Sequence, residues 1–117
     1  MNDQAIESEI KAKGLTAPRV TPADIESSIA SERYTTGTDA IVGQTRGPEW
    51  QATPVELDML TLCFLVTRNG HVVTGESFCQ DPAKFNAQTG REEARKDAIN
   101  KLWPMVVYAE RERLSSQ

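Results

Sequence analysis

The most regular hydrophobic pattern lies in the second half of the chain. Met59 to Thr67 reads MLTLCFLVT, an apolar run of strand length. Asn69-Gly70 follows, a preferred pair for a tight reversal, and His71 to Cys79 reads as the return strand. A two-residue turn there sets Val66 opposite Val73, Phe64 opposite Gly75, Leu62 opposite Ser77 and Leu60 opposite Cys79. Leu60, Leu62, Phe64, Val66, Val73 and Gly75 then share one face. Thr61, Cys63, Leu65, Val72, Thr74, Glu76 and Phe78 share the other. In this register Phe64 lies across the bare Gly75, and Cys63 and Cys79 fall on opposite faces, where no disulfide joins them.

Downstream of Asp81-Pro82 the period changes. Ala87, Gly90, Ala94 and Ala98 recur at spacings of three and four, and Leu102 extends the stripe. A stripe of small residues predicts a helix laid flat on the large-residue face of the hairpin. Pro104 removes the amide that would bond back to Asn100, so a kink or restart is expected there. Met105, Val106, Tyr108 and Ala109 form an apolar patch beyond it. Near the other end, Thr21-Pro22-Ala23-Asp24 combines a hydroxyl cap, a proline in the first turn and an acid three residues after the cap. It predicts a helix carrying Ile25 and Ile29 on one face and running to about Arg33. A weaker helix is predicted over Asp3 to Lys13, on Ile6 and Ile10, stopped by Gly14. Residues 35–57 read as an irregular loop punctuated by glycine and proline, with Trp50 packed under it. The fold expected is α+β: N-terminal helices, a two-stranded antiparallel hairpin at about 59–79, and a C-terminal helix packed on it. Residues 18–114 would form the single domain, with 1–17 a variable helix or tail.

Composition narrows the function classes. The 117 residues are 38% hydrophobic and 26% charged, with a formal net charge of -4. An acidic balance argues against a general grip on nucleic acid. The charge is uneven: residues 1–60 carry ten acids against five bases, and residues 81–117 carry seven bases against six acids. An anionic partner would therefore meet the C-terminal part. No apolar run reaches the roughly 18 residues of a membrane span. Met1 to Gly14 is polar and does not read as a signal peptide. Two cysteines without metal-ligand spacing predict free thiols and no metal site. No cofactor is implied.

Glu76, mid-strand beside Thr74, is the acid of most interest, read as solvated or in contact with a ligand or partner. An isolated carboxylate cannot do paired acid–base work. His71 reads as a polar turn residue. No nucleophilic triad and no phosphate loop is present. Arg91, Arg95, Lys96 and Lys101 form the nearest approach to a basic surface, although Glu92–Lys96 and Asp97–Lys101 can pair along the helix. Trp103 and Tyr108 flank Pro104 and serve either as core residues or as interface anchors. The helix–hairpin–helix order faintly resembles a double-stranded RNA-binding domain. Two acids interrupt its basic cluster here, and no third strand is read. One helix covers only one hairpin face, leaving Cys63, Leu65, Val72 and Phe78 for the N-terminal helices or for a second copy. A homo-oligomer, most simply a dimer, is expected.

Three separated stretches resemble the Gp49-like family of small proteins of tailed phages and prophages, named from phages N4 and Sf6. They are Arg19-Val20-Thr21-Pro22-Ala23-Asp24-Ile25-Glu26 with Ser31-Glu32-Arg33-Tyr34; Thr61-Leu62-Cys63 with Arg68-Asn69-Gly70 and Val73-Thr74-Gly75-Glu76-Ser77; and Phe85-Asn86-Ala87, Gly90-Arg91, Ala94-Arg95, Ala98 and Lys101-Leu102-Trp103-Pro104, ending at Tyr108. His71 departs from the apolar residue more usual at its position. The resemblance implies a phage or prophage origin and a role in the cytoplasm of the infected bacterium. Joined to the missing catalytic set, it leads to a non-enzymatic accessory protein that binds a host or anti-phage defence component, either a protein or a nucleotide signal. The candidate contact residues are Glu76, Thr74, Arg91, Arg95, Lys101, Trp103 and Tyr108. The alternatives are a small nucleic-acid-binding module using Arg91, Arg95 and Lys101, and a small enzyme using Glu76 as its base.

Overall fold

The computed structural model describes residues 19–44 and 53–116. The helix expected at Asp3–Lys13 and the home of Trp50 lie outside them. The first helix, α1, is Pro22–Ser27, and its start is the one the sequence predicts. Thr21 Oγ1 accepts from the Asp24 amide at 3.2 Å, and the Asp24 carboxylate accepts from the Thr21 amide at 2.9 Å.

The helix ends earlier than Arg33. The Ser27 and Ser28 hydroxyls donate back to the carbonyls of Asp24 and Ile25, three residues behind each. The chain then becomes a strand, β1, Ile29–Thr36. Ile29 is therefore a strand residue, and its four-residue spacing from Ile25 does not mark a helix face. A six-residue helix, α2, Gly37–Val42, and a single 3-10 turn, Val55–Met59, further shorten the stretch expected to be irregular.

Next come β2, Leu60–Thr67, and β3, Val72–Phe78, and the sheet is three-stranded and antiparallel in the order β1-β2-β3. The expected hairpin is present, joined by a third strand. Its register is one residue away from the expected one: Leu65 faces Val73, Phe64 faces Thr74, Cys63 faces Gly75 and Leu62 faces Glu76. The turn explains the difference. Asn-Gly in a two-residue turn needs positive φ at both positions. Here Gly70 alone has it, at 87°, and among the described residues no non-glycine residue does. Arg68, Asn69 and Gly70 form a three-residue turn, closed by Thr67 N–H to the His71 carbonyl at 2.8 Å and Gly70 N–H to the Thr67 carbonyl at 3.0 Å. The Thr67 hydroxyl also accepts from the His71 amide at 2.9 Å.

A slip of one residue exchanges the faces of one strand relative to the other. Thr61, Cys63, Leu65, Val73 and Gly75 now lie together against the core, and Glu32 and Tyr34 of β1, which face Leu65 and Cys63, stand half-buried on the same side. Phe64 does not cross Gly75. Cys63 and Cys79 fall on the same side, separated by four residues of strand, about 13 Å, which keeps the thiols apart for a different reason from the one expected.

The long helix α3, Ala87–Ser115, is capped by Asn86, whose side chain accepts from the Thr89 amide at 3.0 Å. Asp81-Pro82 opens only a short 3-10 turn, Pro82–Lys84. Gly90, Ala94, Ala98 and Leu102 are buried, as their spacing predicts, while Ala87 is exposed. The stripe lies on the small-residue face of the hairpin and not on the face of Leu62 and Phe64. Helical structure continues through Pro104, so no restart occurs there. Asn100 and Pro104 are both exposed, and water can take the carbonyl that lacks a partner. Ile25, Cys63, Leu65, Val73, Ala94, Ala98 and Leu102 make the core, with Val20, Ile29, Tyr34, Trp103 and Val106 packed around it. Burying each of the larger of these side chains contributes about 2 kcal/mol.

Candidate binding surfaces

The charged residues of α3 divide between two sides of the buried stripe. On the side facing α1 and β1, Arg95 donates two hydrogen bonds to Glu26, at 2.9 and 2.6 Å, and one to Glu32 at 3.0 Å. The Tyr34 hydroxyl donates to the other oxygen of Glu32 at 2.8 Å. Hydrogen bonding from Arg95 holds the Glu26 carboxyl below its ordinary range, and it raises Arg95 in turn. Burial, followed by the bond to Glu32, raises Tyr34, and burial raises Cys63. Arg95 thus fastens α1, β1 and α3 together.

On the opposite side, Lys101 and Asp97 pair at 3.2 Å and both grip the outer edge of β3. Asp97 accepts from the Glu76 amide at 3.0 Å, and Lys101 donates to the Thr74 carbonyl at 3.1 Å. The bond from the Glu76 amide, then Lys101, lowers the Asp97 carboxyl. This closes part of an edge that would otherwise pair with another chain. Neither Glu26 nor Glu32 stands out in the sequence, because Arg95 is remote from both along the chain; the Asp97–Lys101 pair is the one the helical spacing offers, whereas its hold on β3 is not legible there.

The predicted contact residues do not converge. Thr74 and Glu76 contribute backbone atoms to the edge while their side chains stand on the open face, Glu76 opposite Leu62. Arg91 is exposed on the β1 side, and Lys101 lies on the β3 side, so the three bases form no common face. Trp103 packs against the core, whereas Tyr108 is 66% exposed. Cys63 and Leu65, expected to be left by the C-terminal helix to the N-terminal helices or a second copy, are both 0% exposed beneath α3. The apolar residues on the other face are Leu60, Leu62, Phe64 and Val66, half-buried, with Val72 and Phe78 exposed.

A broad concavity lies where the hairpin tip meets the second half of α3. It is a groove of about 540 Å³ with Arg68, Asn69 and His71 on one wall and Leu102, Met105, Val106 and Ala109 on the other. Arg68 braces the tip by donating its Nε–H to the Ser27 carbonyl. Leu102 supplies a buried floor, and Met105 is 45% exposed. The groove is apolar with a cationic rim, a form suited to recognition. Among the described residues no group of three or more His, Cys, Asp or Glu side chains gathers to hold a metal, and no helix is long and apolar enough to cross a membrane.

A sequence model of the phage protein (N4 Gp49/phage Sf6 gene 66) family matches residues 20–114. The chain belongs to this family. The match spans all the described strands and almost all of α3, so the Arg95 fastening, the guarded β3 edge and the groove all fall within the Gp49/gene 66 region. No curated protein and no solved structure matches the chain.

Proposed function

We propose that this Gp49/gene 66 phage protein is a non-enzymatic accessory protein that binds a host or defence protein in the cytoplasm of the infected bacterium. The observation that carries the reading is the apolar groove between the hairpin tip and α3, lined by the exposed Met105, with Tyr108 exposed on the same stretch of helix. From Trp103 to Ala109 the helix is apolar on every side. Such a helix ordinarily has cover on more than one side. Tyrosine and methionine are also favoured at binding surfaces. A nucleotide signal held by sequestration is the small-molecule form of the same reading.

The nucleic-acid alternative has less support, because Arg95 is spent on Glu26 and Glu32 and Lys101 on Asp97. The enzymatic alternative rests on Glu76 alone, whose cross-strand neighbour is Leu62. A homodimer remains part of the proposal, through the groove or through the face of Leu62 and Phe64.

The test is affinity capture from lysate of infected bacteria with the wild type and a Met105→Ser/Tyr108→Ala variant. The reading expects one protein recovered in stoichiometric amount by the wild type and lost by the variant. Equal recovery by both contradicts the groove. Light scattering at micromolar concentration tests the dimer, which a stable monomer would exclude.

A further inference from the structure

A second concavity, separate from the groove, lies between the start of α3 and the corner where β1 turns into α2. It measures about 130 Å³, and Tyr34, Asp39, Thr61, Phe85, Ala87 and Arg91 are among the residues around it. Three features set it apart from an ordinary surface crease. Thr61 is only 3% exposed, and its hydroxyl makes no hydrogen bond among the described residues. That hydroxyl sits against Gly90, where an added Cβ would come within 2.6 Å of Oγ1. The hydroxyl is therefore available to a group that enters the notch. Among the described residues Arg91 makes no ion pair, in contrast to its neighbour Arg95. The amide of Ala87, in the first turn of a 29-residue helix, has no partner inside the helix.

We infer that this notch binds the phosphate end of a small hydroxyl-bearing phosphate ester. A phosphate has enough oxygens to accept at once from the Arg91 guanidinium, the Ala87 amide and the Thr61 hydroxyl. Asp39 also borders the notch and would repel a bare anion. It accepts hydrogen bonds only, so it selects an anion that brings hydroxyl donors, such as a pentose carrying a phosphate. The Tyr34 and Phe85 rings supply apolar walls for the carbon skeleton. Sugar phosphates and nucleotides share this chemistry, and the small volume requires a nucleotide base to lie outside the notch.

Calorimetric titration of the full chain with ribose 5-phosphate, adenosine 5′-monophosphate and inorganic phosphate tests the site. Ribose 5-phosphate should bind at least about tenfold more tightly than inorganic phosphate, a difference of about 1.4 kcal/mol. Arg91→Gln, at an exposed position, should weaken it about tenfold or more without changing the melting temperature. Asp39→Asn should weaken ribose 5-phosphate and leave inorganic phosphate unchanged or improved. Tighter binding of the nucleotide than of ribose 5-phosphate assigns the natural ligand to nucleotides, and equal binding assigns it to sugar phosphates. Absence of binding by all three probes at about 10 mM overturns the inference. Unchanged affinity in Arg91→Gln does so equally, as does inorganic phosphate binding as tightly as ribose 5-phosphate.

Discussion

Gly75 of β3 lies directly beneath Ala98 of α3. A Cβ on Gly75 would come within 2.4 Å of the Ala98 amide nitrogen and 2.8 Å of its methyl, and within 2.1 Å of the Ala94 carbonyl oxygen. Strand backbone and helix backbone therefore meet with no side chain between them. Gly75→Ala should accordingly destabilise the protein severely, by about 3 kcal/mol or more, because rigid backbone blocks the added methyl. Gly70→Ala is the informative control. It has open space around it but φ of 87°, and its cost should be only about 1 kcal/mol. Denaturant unfolding of the two variants checks the ranking.

Arg95 makes acid sensitivity part of the fold. Its bonds hold the Glu26 carboxyl below its ordinary value of 4.5, so this contribution is complete above that value. It is lost as pH falls through the lower folded pKa. Glu26 is half-exposed and solvent screens the pair, so Glu26→Gln should cost about 1 kcal/mol at neutral pH. Stability curves of wild type and variant should converge in acid. A constant gap across the range would show that the pair is not the cause.

The Asp97 clamp protects one amide in particular. Asp97→Ala leaves the Glu76 N–H on an open edge, and its hydrogen exchange should accelerate about tenfold or more, with little change at β2 amides. The loss in stability should be about 1 kcal/mol. The freed edge should also raise the tendency to self-associate, which sedimentation would detect.

Tyr108→Ala should shift stability by no more than about 0.5 kcal/mol, because the side chain is largely exposed and lies outside the core. Leu102→Ala, at the groove floor, should cost about 3 kcal/mol. A variant pair that separates in this way distinguishes the exposed side of α3 from the groove floor, as read by chemical denaturation.

Much of the local structure was legible in the residues. Thr21 to Asp24 specifies a cap through chemistry confined to four positions, and the Gly90–Ala94–Ala98–Leu102 stripe specifies a helix face through spacing alone. β1 was not legible, since Ile25 and Ile29 imitate a helix face and the break depends on how Ser27 and Ser28 use their hydroxyls. The register was ambiguous for a sharper reason. Asn69-Gly70 serves a two-residue turn and a three-residue turn equally well, and the choice rests on the sign of φ at Asn69. That choice then decides whether Cys63 or Phe64 meets the helix. The binding surfaces were hidden by distance along the chain: Arg95 reaches Glu32 across 63 positions and Glu26 across 69, and the groove joins Arg68 to Met105.

The register can be read most directly from one thiol. In a Cys79→Ser variant the remaining Cys63 is fully buried beneath α3, and an aromatic disulfide reagent should modify it only as fast as the protein unfolds. Immediate stoichiometric reaction of Cys63 in the native protein would place it on the open face. The helix would then cover the other side of the sheet, contrary to the fold described above.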